Sequence, residues 1–165
     1  MNGTEIVVGV DGSISAVSAV GWAADEAARR SERLVIVYAS AVVDSAAYSS
    51  ATLQMMRSDA AVHGDRVLVE ALASVRALHP DLPVTTLLRH QRPADVLIEL
   101  SGQCALVVLG SHGANRVIGA LLGSVSQRVA AHATGTVVVV GSDGPIRSSE
   151  LGILVGISDT TGGRA

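Results

Sequence analysis

Short apolar runs alternate with longer segments of helical periodicity along most of the chain. The runs are rich in valine, isoleucine and leucine and are bounded by turn residues, which is typical of buried strands. Five strands are predicted, at Glu5–Val10, Leu34–Ala39, Val84–Leu88, Ala105–Leu109 and Thr136–Val140. Strands that alternate with helices predict a parallel sheet with helices on both faces.

The segments between the runs predict four helices. A serine at position 13 or 15 can cap the first helix, and Pro93 suits the first turn of the third. Pro80 and Pro83 end the long second helix. The four helices cover 13–30, 53–78, 93–100 and part of 117–133.

Three strand ends carry candidate binding residues. Asp11 follows the first predicted strand, Ala39 ends the second and Gly110 follows the fourth. In open parallel sheets, ligands bind beyond the carboxyl ends of the strands, at the point where the strand order reverses. The sequence therefore predicts a small-molecule crevice at one edge of the sheet.

Composition excludes several classes of function. The chain has 165 residues and a net charge of -3, which fits one compact domain. All 12 basic residues are arginines, so a lysine Schiff base and a Walker A lysine are both excluded. The only aromatic residues are Trp22, Tyr38 and Tyr48, and no basic tract accompanies them, which argues against a nucleic-acid partner.

Cys104 is the only cysteine, so neither an intramolecular disulfide nor a thiolate metal cage can form within the chain. We interpret it as a small apolar residue of the core. The five histidines show no spacing typical of metal ligands. The printed sequence has no signal peptide and no apolar segment of membrane-spanning length, and we expect a cytoplasmic protein without a membrane partner.

The stretch GSHGANRVIGALLGSVS, residues 110–126, concentrates glycine in a way that requires an explanation. Close approach of the backbone to a phosphate is one explanation, and a positive φ angle at Gly113 or Gly123 is another. Ser124-Val125-Ser126 predicts a helix start, whose unpaired N–H groups bind anions and whose serines add hydroxyl donors. The alternative is a glycine-rich turn with serine caps and no ligand. The stretch matches neither common nucleotide-binding motif.

Gly110-x2-Gly113-x9-Gly123-Ser124 resembles the ATP-binding signature of the universal stress protein family. The opening stretch Ile6–Ser13 is similar to the first strand and turn of that family, and the likeness extends over about residues 4 to 141. The resemblance implies an α/β fold with a five-stranded parallel sheet in the order 3-2-1-4-5. It also implies a homodimer that binds ATP with Mg2+ across the crevice.

The resemblance assigns roles to individual residues. Asp11 lies near the adenosine and the metal, and the backbone of Ala39 faces adenine. The glycine signature and the residues after it surround the ribose and the phosphates. These cofactor-binding residues are Gly110, Gly113, Gly123, Ser124, Val125 and Ser126, to which His112 is added. His112 is either a phosphate contact or a solvated loop residue, and Asp11 taken alone is equally explained as a turn residue.

Two stretches depart from the family pattern. His90-Gln91-Arg92 precedes Pro93 where the family often has a glycine, so we expect a bulky residue to crowd the nucleoside side. Gly135-Thr136 begins the last strand where the family usually has a proline. That strand often builds the dimer, so its mode of pairing is left open.

The C-terminal tail is set apart from residues 1–143, which we assign to the universal stress protein domain. Residues 144–165 begin with the linker-like Gly144-Pro145 and contain the apolar stretch Ile153–Ile157, which repeats the pattern of Ile6–Val10. The stretch is either the first strand of a second repeat or an unrelated strand that covers an edge. Ser158 stands where Asp11 does, so no second nucleotide site is expected.

These observations favour an ATP-binding regulatory module of the stress response, read by an unidentified regulatory protein. Two alternatives remain at this point. One is a slow ATPase or nucleotide-cleaving enzyme, and the other is a nucleotide-free dimeric module. No general base is evident in the sequence, so we expect no catalytic residue and at most slow hydrolysis.

Overall fold

The computed structural model describes residues 3–41, 48–111 and 122–141, together with the backbone of Leu154–Val155. Its strands form a single sheet in the order β3-β2-β1-β4-β5-β6. The strands are β1 Glu5–Val10, β2 Arg33–Ala39, β3 Val84–Arg89, β4 Leu106–Gly110, β5 Val137–Val140 and β6 Leu154–Val155. The helices are α1 Ile14–Arg30, α2 Ser50–Leu78, α3 Pro93–Ser101 and α4 Ser124–His132.

Strands β1 to β5 are parallel, and the predicted order 3-2-1-4-5 is confirmed. β1 lies at the centre, between β2 and β4. The chain builds outward from β1 to β3 and then crosses back to the other side of β1 through α3. The carboxyl ends of β1 and β4 therefore face the position where the strand order reverses.

Two apolar layers enclose the sheet, as the continuous hydrophobic runs predict. One face of the sheet packs against α1 and α2, and its core includes Ile6, Ala19 and Val67. The other face packs against α3 and α4, and its core includes Val7, Leu97 and Val129. Because both faces are covered, most residues of β1 and β2 are buried, and the strands lack the alternation of a half-exposed sheet.

The helix starts follow ordinary capping chemistry. Ser13, rather than Ser15, caps α1: its Oγ accepts a hydrogen bond from the Ala16 amide at 3.2 Å. Ser49 caps α2 in the same way through the Thr52 amide, so α2 begins at Ser50, three residues earlier than the apolar periodicity predicts. α4 begins at Ser124, inside the predicted range 117–133.

A sixth strand is added to the predicted five. β6 runs antiparallel to β5, with Leu154 opposite Val139 and Val155 opposite Val138. Leu154 and Val155 thus pair with the outer edge of β5, whether or not this strand is the first of a second repeat. Over residues 3–41, 48–111 and 122–141, no helix is both long enough and apolar enough to cross a membrane.

Candidate functional site

A cavity of about 230 Å³ opens at the carboxyl edge of the sheet, where the strand order reverses. Its floor is apolar, because strand residues and α3 contribute small or aliphatic side chains. Its rim is polar and comes from the β1–α1 turn, the end of β4 and the start of α4. The floor contains Gly9, Val37, Ala39, Pro93, Leu97 and Leu109, and the rim contains Asp11, Ser13, Gly110, Gly123, Ser124, Val125 and Ser126.

The β1–α1 turn places Asp11 at the rim of this cavity. Asp11 Oδ1 accepts a hydrogen bond from the Ser13 amide at 3.0 Å, and Gly12 between them has a φ angle of +81°. A side chain at position 12 would be strained in this left-handed conformation. Asp11 therefore shapes the turn that starts α1, and the same turn brings its carboxylate to the cavity.

The structure gives a reason for glycine at position 110 that the sequence did not reveal. A methyl group on Gly110 would lie 2.7 Å from the carbonyl carbon of Ser15 and 2.8 Å from its carbonyl oxygen. The end of β4 thus packs directly against the first turn of α1. Glycine at this position permits contact between two elements of the fold, and the residue reaches the rim of the cavity as a consequence.

The start of α4 is tied to the ends of β4 and β5. The Gly123 amide donates to the Ser111 carbonyl at 2.7 Å, and the Ser111 amide donates to the Val140 carbonyl at 2.8 Å. Ser126 is buried, and its Oγ donates to the Gly110 carbonyl at 2.7 Å. In this geometry the hydroxyl proton of Ser126 is already used. The predicted contact of Ser126 with a phosphate would therefore require its hydroxyl to rotate.

Gly123 caps α4 with φ -71° and ψ 161°, an extended conformation that any residue adopts. The expectation of a positive φ angle at Gly123 is therefore wrong. The first hydrogen bond within the helix runs from the Gln127 amide to the Gly123 carbonyl at 2.9 Å. The amides of Ser124, Val125 and Ser126 precede that bond, so they form the positive end of the α4 dipole at the rim of the cavity.

The nucleoside side predicted from the sequence corresponds to the ends of β2 and α3. Ala39 is the last residue of β2 and extends past the register of β1, in which Val10 lies opposite Tyr38. Its main chain therefore lies at the open edge of the sheet. The expected crowding is not observed, since the side chains of His90, Gln91 and Arg92 are exposed and do not line the cavity.

Charge is sparse around the cavity. Among its lining residues, all of them in the described part of the chain, Asp11 is the only one with a charged side chain. Over the described ranges, no group of three histidine, cysteine, aspartate or glutamate residues could hold a metal ion by itself. Cys104 lies apart from the cavity, and burial raises the pKa of its thiol. His112 and Gly113 lie outside the described residues.

Among the residues of the cavity floor, sequence reasoning predicted only Ala39 and missed the others. Gly9 and Val37 are register partners in β1 and β2. Val37 belongs to the core that includes α3, and a methyl group on Gly9 would lie 3.1 Å from Leu97 of α3. The sequence could have predicted both positions, because side chains two residues apart in a strand lie on the same face. Gly9 is two residues before Asp11, and Val37 is two residues before Ala39. Leu97 and Leu109 gave no such signal, since both read as ordinary core residues.

Comparison with known proteins identifies the family. A model of the universal stress protein family matches residues 4–141. The universal stress protein Rv2005c of Mycobacterium tuberculosis is 36% identical over 135 residues, which is 82% of this chain and 44% of that protein. The universal stress protein Mb2019 of Mycobacterium bovis is 34% identical over an alignment that covers 95% of this chain and 55% of that protein. This chain thus spans about half the length of these relatives.

Solved structures agree with this assignment. The universal stress protein UspA from Lactobacillus plantarum superposes with a TM-score of 0.72 at 24% identity, covering 84% of this chain and 98% of that one. A universal stress protein in complex with cAMP gives a TM-score of 0.61 at 27% identity, covering 86% and 99%. The family model, the curated relatives and the strand order lead to one conclusion: this chain belongs to the universal stress protein family.

Proposed function

We propose that this protein binds adenine nucleotides in the cavity between β1, β4 and α4, with ATP and Mg2+ as the preferred ligand. The observation that carries the proposal is the composition of the cavity. An apolar floor suited to a flat base lies beside a rim of backbone amides at a helix start, which suits phosphate. A relative of 27% identity is described in complex with cAMP, which supports the same class of ligand.

The base is expected on the side of Ala39. Val37, Pro93 and Leu97 supply aliphatic contacts there, and the main chain of Ala39 lies at the edge of the sheet, where it can read the polar edge of adenine. A backbone N–H and C=O pair can distinguish adenine from guanine, because the two bases carry different exocyclic groups on that edge. We therefore expect ATP to bind more tightly than GTP.

The phosphates are expected at the start of α4. The amides of residues 124–126 and the exposed hydroxyl of Ser124 offer donors, and the helix dipole favours negative charge at this end. The lining includes no arginine or histidine from the described residues. Asp11 would repel a phosphate, so a Mg2+ ion shared between the phosphates and the Asp11 carboxylate would offset two negative charges at once.

The role we propose is regulatory binding in the cytoplasm, with the nucleotide as a signal that a partner protein reads. We also propose that residues 1–143 form the nucleotide-binding domain and that 144–165 comprise a linker and a strand related to β1. The match of one relative to 95% of this chain reaches into that tail, which supports a counterpart in longer proteins. Homodimerisation through the outer edge of β5, which requires β6 to leave that edge, belongs to the same proposal.

Isothermal titration calorimetry tests the nucleotide site. We expect heat of binding with ATP and Mg2+, weaker binding of AMP and cAMP, and the weakest binding of GTP. Native mass spectrometry of freshly purified protein adds an independent test, because retained ATP or AMP would appear as a defined mass increase. Absence of heat with every adenine nucleotide would overturn the proposal, and equal affinity for GTP would overturn the assignment of the base to Ala39.

A further inference from the structure

Part of the floor and part of the rim come from two helices, and the residues of these helices that line the cavity are its helical walls. α3 contributes Pro93 and Leu97, and α4 contributes Val125 and Ser126. No short turn connects the two helices, because β4 lies between them in the chain. The width of the cavity therefore depends on contacts between α3 and α4.

At the end far from the cavity, the last turn of α3 packs against the connection that follows α4. Ser101, the last residue of α3, is buried, and its Oγ accepts a hydrogen bond from the Thr134 amide at 3.0 Å. A methyl group on the neighbouring Gly135 would overlap the Ser101 carbonyl oxygen at 2.1 Å. Backbone packed this closely leaves little room for movement at that end.

The contact near the cavity is of a different kind. Arg128 Nη2 of α4 lies 2.9 Å from Asp95 Oδ1 of α3, and their side chains are 55% and 47% exposed. Asp95 lies midway between the two wall residues Pro93 and Leu97, and Arg128 follows the wall residue Val125 by three positions. An ion pair this exposed contributes little to folding, and it can break and re-form without unfolding either helix.

We propose that the Asp95–Arg128 pair is a latch that positions the two helical walls of the cavity for ligand. The inference rests on the proposed nucleotide-binding function for its effect on affinity, but the latch itself is a property of the ligand-free protein. Both residues are positioning residues, since neither lines the cavity. Loss of either partner frees the mouth end of α3, because the start of α4 stays tied to β4 through Gly123 and Ser126, while Ser101 and Gly135 hold the far ends together.

For one of the two variants, the latch predicts a change in the ATP Kd opposite in direction to the change that charge alone would cause. If Asp95 and Arg128 acted only through their charges on an anionic ligand, Asp95→Asn would tighten ATP binding and Arg128→Gln would weaken it. A latch predicts that both variants weaken binding, because both release the same contact. We expect each to raise the Kd three- to fivefold, and the charge-reversed double variant Asp95→Arg, Arg128→Asp to return within twofold of the unaltered protein.

Calorimetry with ATP and Mg2+ on these variants tests the latch. Glu99→Gln is the matched control, because it removes an equal charge from the exposed face of α3, one turn beyond Asp95. It should leave the Kd unchanged within error. Tighter binding by Asp95→Asn, or failure of the reversed pair to restore binding, would overturn the proposal.

Hydrogen exchange on the ligand-free protein separates this proposal from the nucleotide site. We expect at least twofold faster exchange of the helix-bonded amides at 96–98 of α3 in both single variants, with 99–104 unchanged. Unchanged exchange at the cavity walls would overturn the latch whether or not ATP binds. Faster exchange in a protein that binds no nucleotide would support the latch and overturn the proposed function instead.

Discussion

Gly110 at the end of β4 is in direct contact with Ser15 in the first turn of α1, where a methyl group would lie 2.7 Å from the Ser15 carbonyl carbon. The obstacle is backbone, which cannot rotate away as a side chain can. This contact joins the end of β4, which contributes to the rim of the cavity, to the first turn of α1, which follows the rim residues Asp11 and Ser13.

The first prediction is that Gly110→Ala destabilises the fold. Displacing α1 from β4 to accommodate the methyl group should cost about 1–3 kcal/mol, measured as the free energy of unfolding in urea. Gly21→Ala is the control, because no atom lies within 4 Å of a methyl group there and alanine is the better helix former. A Gly110→Ala protein as stable as the unaltered chain would contradict the contact.

The second prediction concerns Gly123, which caps α4 without a side-chain hydrogen bond. Gly123→Ser and Gly123→Ala both add a Cβ atom where phosphate is proposed to approach, so both should weaken ATP binding at least tenfold, or about 1.4 kcal/mol. Their effects on stability should differ in sign, since the serine Oγ can cap the helix amides and alanine cannot. Thermal unfolding and calorimetry together test this. Normal ATP affinity in both variants would show that the α4 start is not the phosphate site.

The third prediction concerns acid sensitivity at Glu26 of α1. Its carboxylate accepts hydrogen bonds from Arg29 Nε at 2.8 Å and Arg30 Nε at 2.6 Å. The hydrogen bond from Arg29 holds the pKa of Glu26 below its ordinary value, and Arg30 adds to the effect. A lowered pKa in the folded state stabilises the fold above the unfolded pKa, and that stability is lost as pH falls through the folded pKa.

We therefore expect Glu26→Gln to lower the free energy of unfolding by about 0.5 kcal/mol at pH 7. The difference from the unaltered protein should shrink as pH falls through the folded-state pKa of Glu26, which lies below the ordinary glutamate value. Glu70→Gln is the control, because Glu70 and Arg66 form an exposed and longer pair at 3.9 Å. A deficit that persists unchanged at low pH would contradict this account of Glu26.

The fourth prediction concerns the edge of β5. β6 pairs with this edge through Leu154 and Val155, and an uncovered strand edge is a template for another chain. Removing residues 144–165 should therefore increase the fraction of homodimer in sedimentation at micromolar concentration. Val155→Pro in the full chain should act in the same direction, since proline cannot donate to the ladder. Monomers both with and without the tail would contradict the proposed dimer surface.

The fifth prediction is slow turnover. Enzymes typically turn over at about 1 to 1,000 per second, and we expect ATP hydrolysis far below that range. His112→Ala should then alter affinity modestly and leave hydrolysis at its low starting level. Hydrolysis by a contamination-controlled sample at about one per second or faster, with loss in the variant, would make this protein an ATPase.

Local pattern was sufficient for the elements of this fold. The apolar runs located β1 to β5, and the serine before α1 and the proline of α3 supplied the starts of those two helices, because strand burial and capping act within a few residues. Only the start of α2 was placed too late. The resemblance carried by the glycine signature supplied the strand order, which the structure confirms. The strand ends and the resemblance together predicted that Asp11, Ala39 and Gly123 lie at one edge of the sheet. All three line the cavity there.

Tertiary structure decided what several of those residues contact. The glycine at position 110 packs against Ser15, and the Ser126 hydroxyl donates to the Gly110 carbonyl, although the sequence offered a ligand as the partner for both. Asp95 and Arg128 are 33 positions apart and meet only because α3 and α4 pack on the same face. A periodic pattern records which face of an element is buried, but which atoms then meet is set by how distant elements pack.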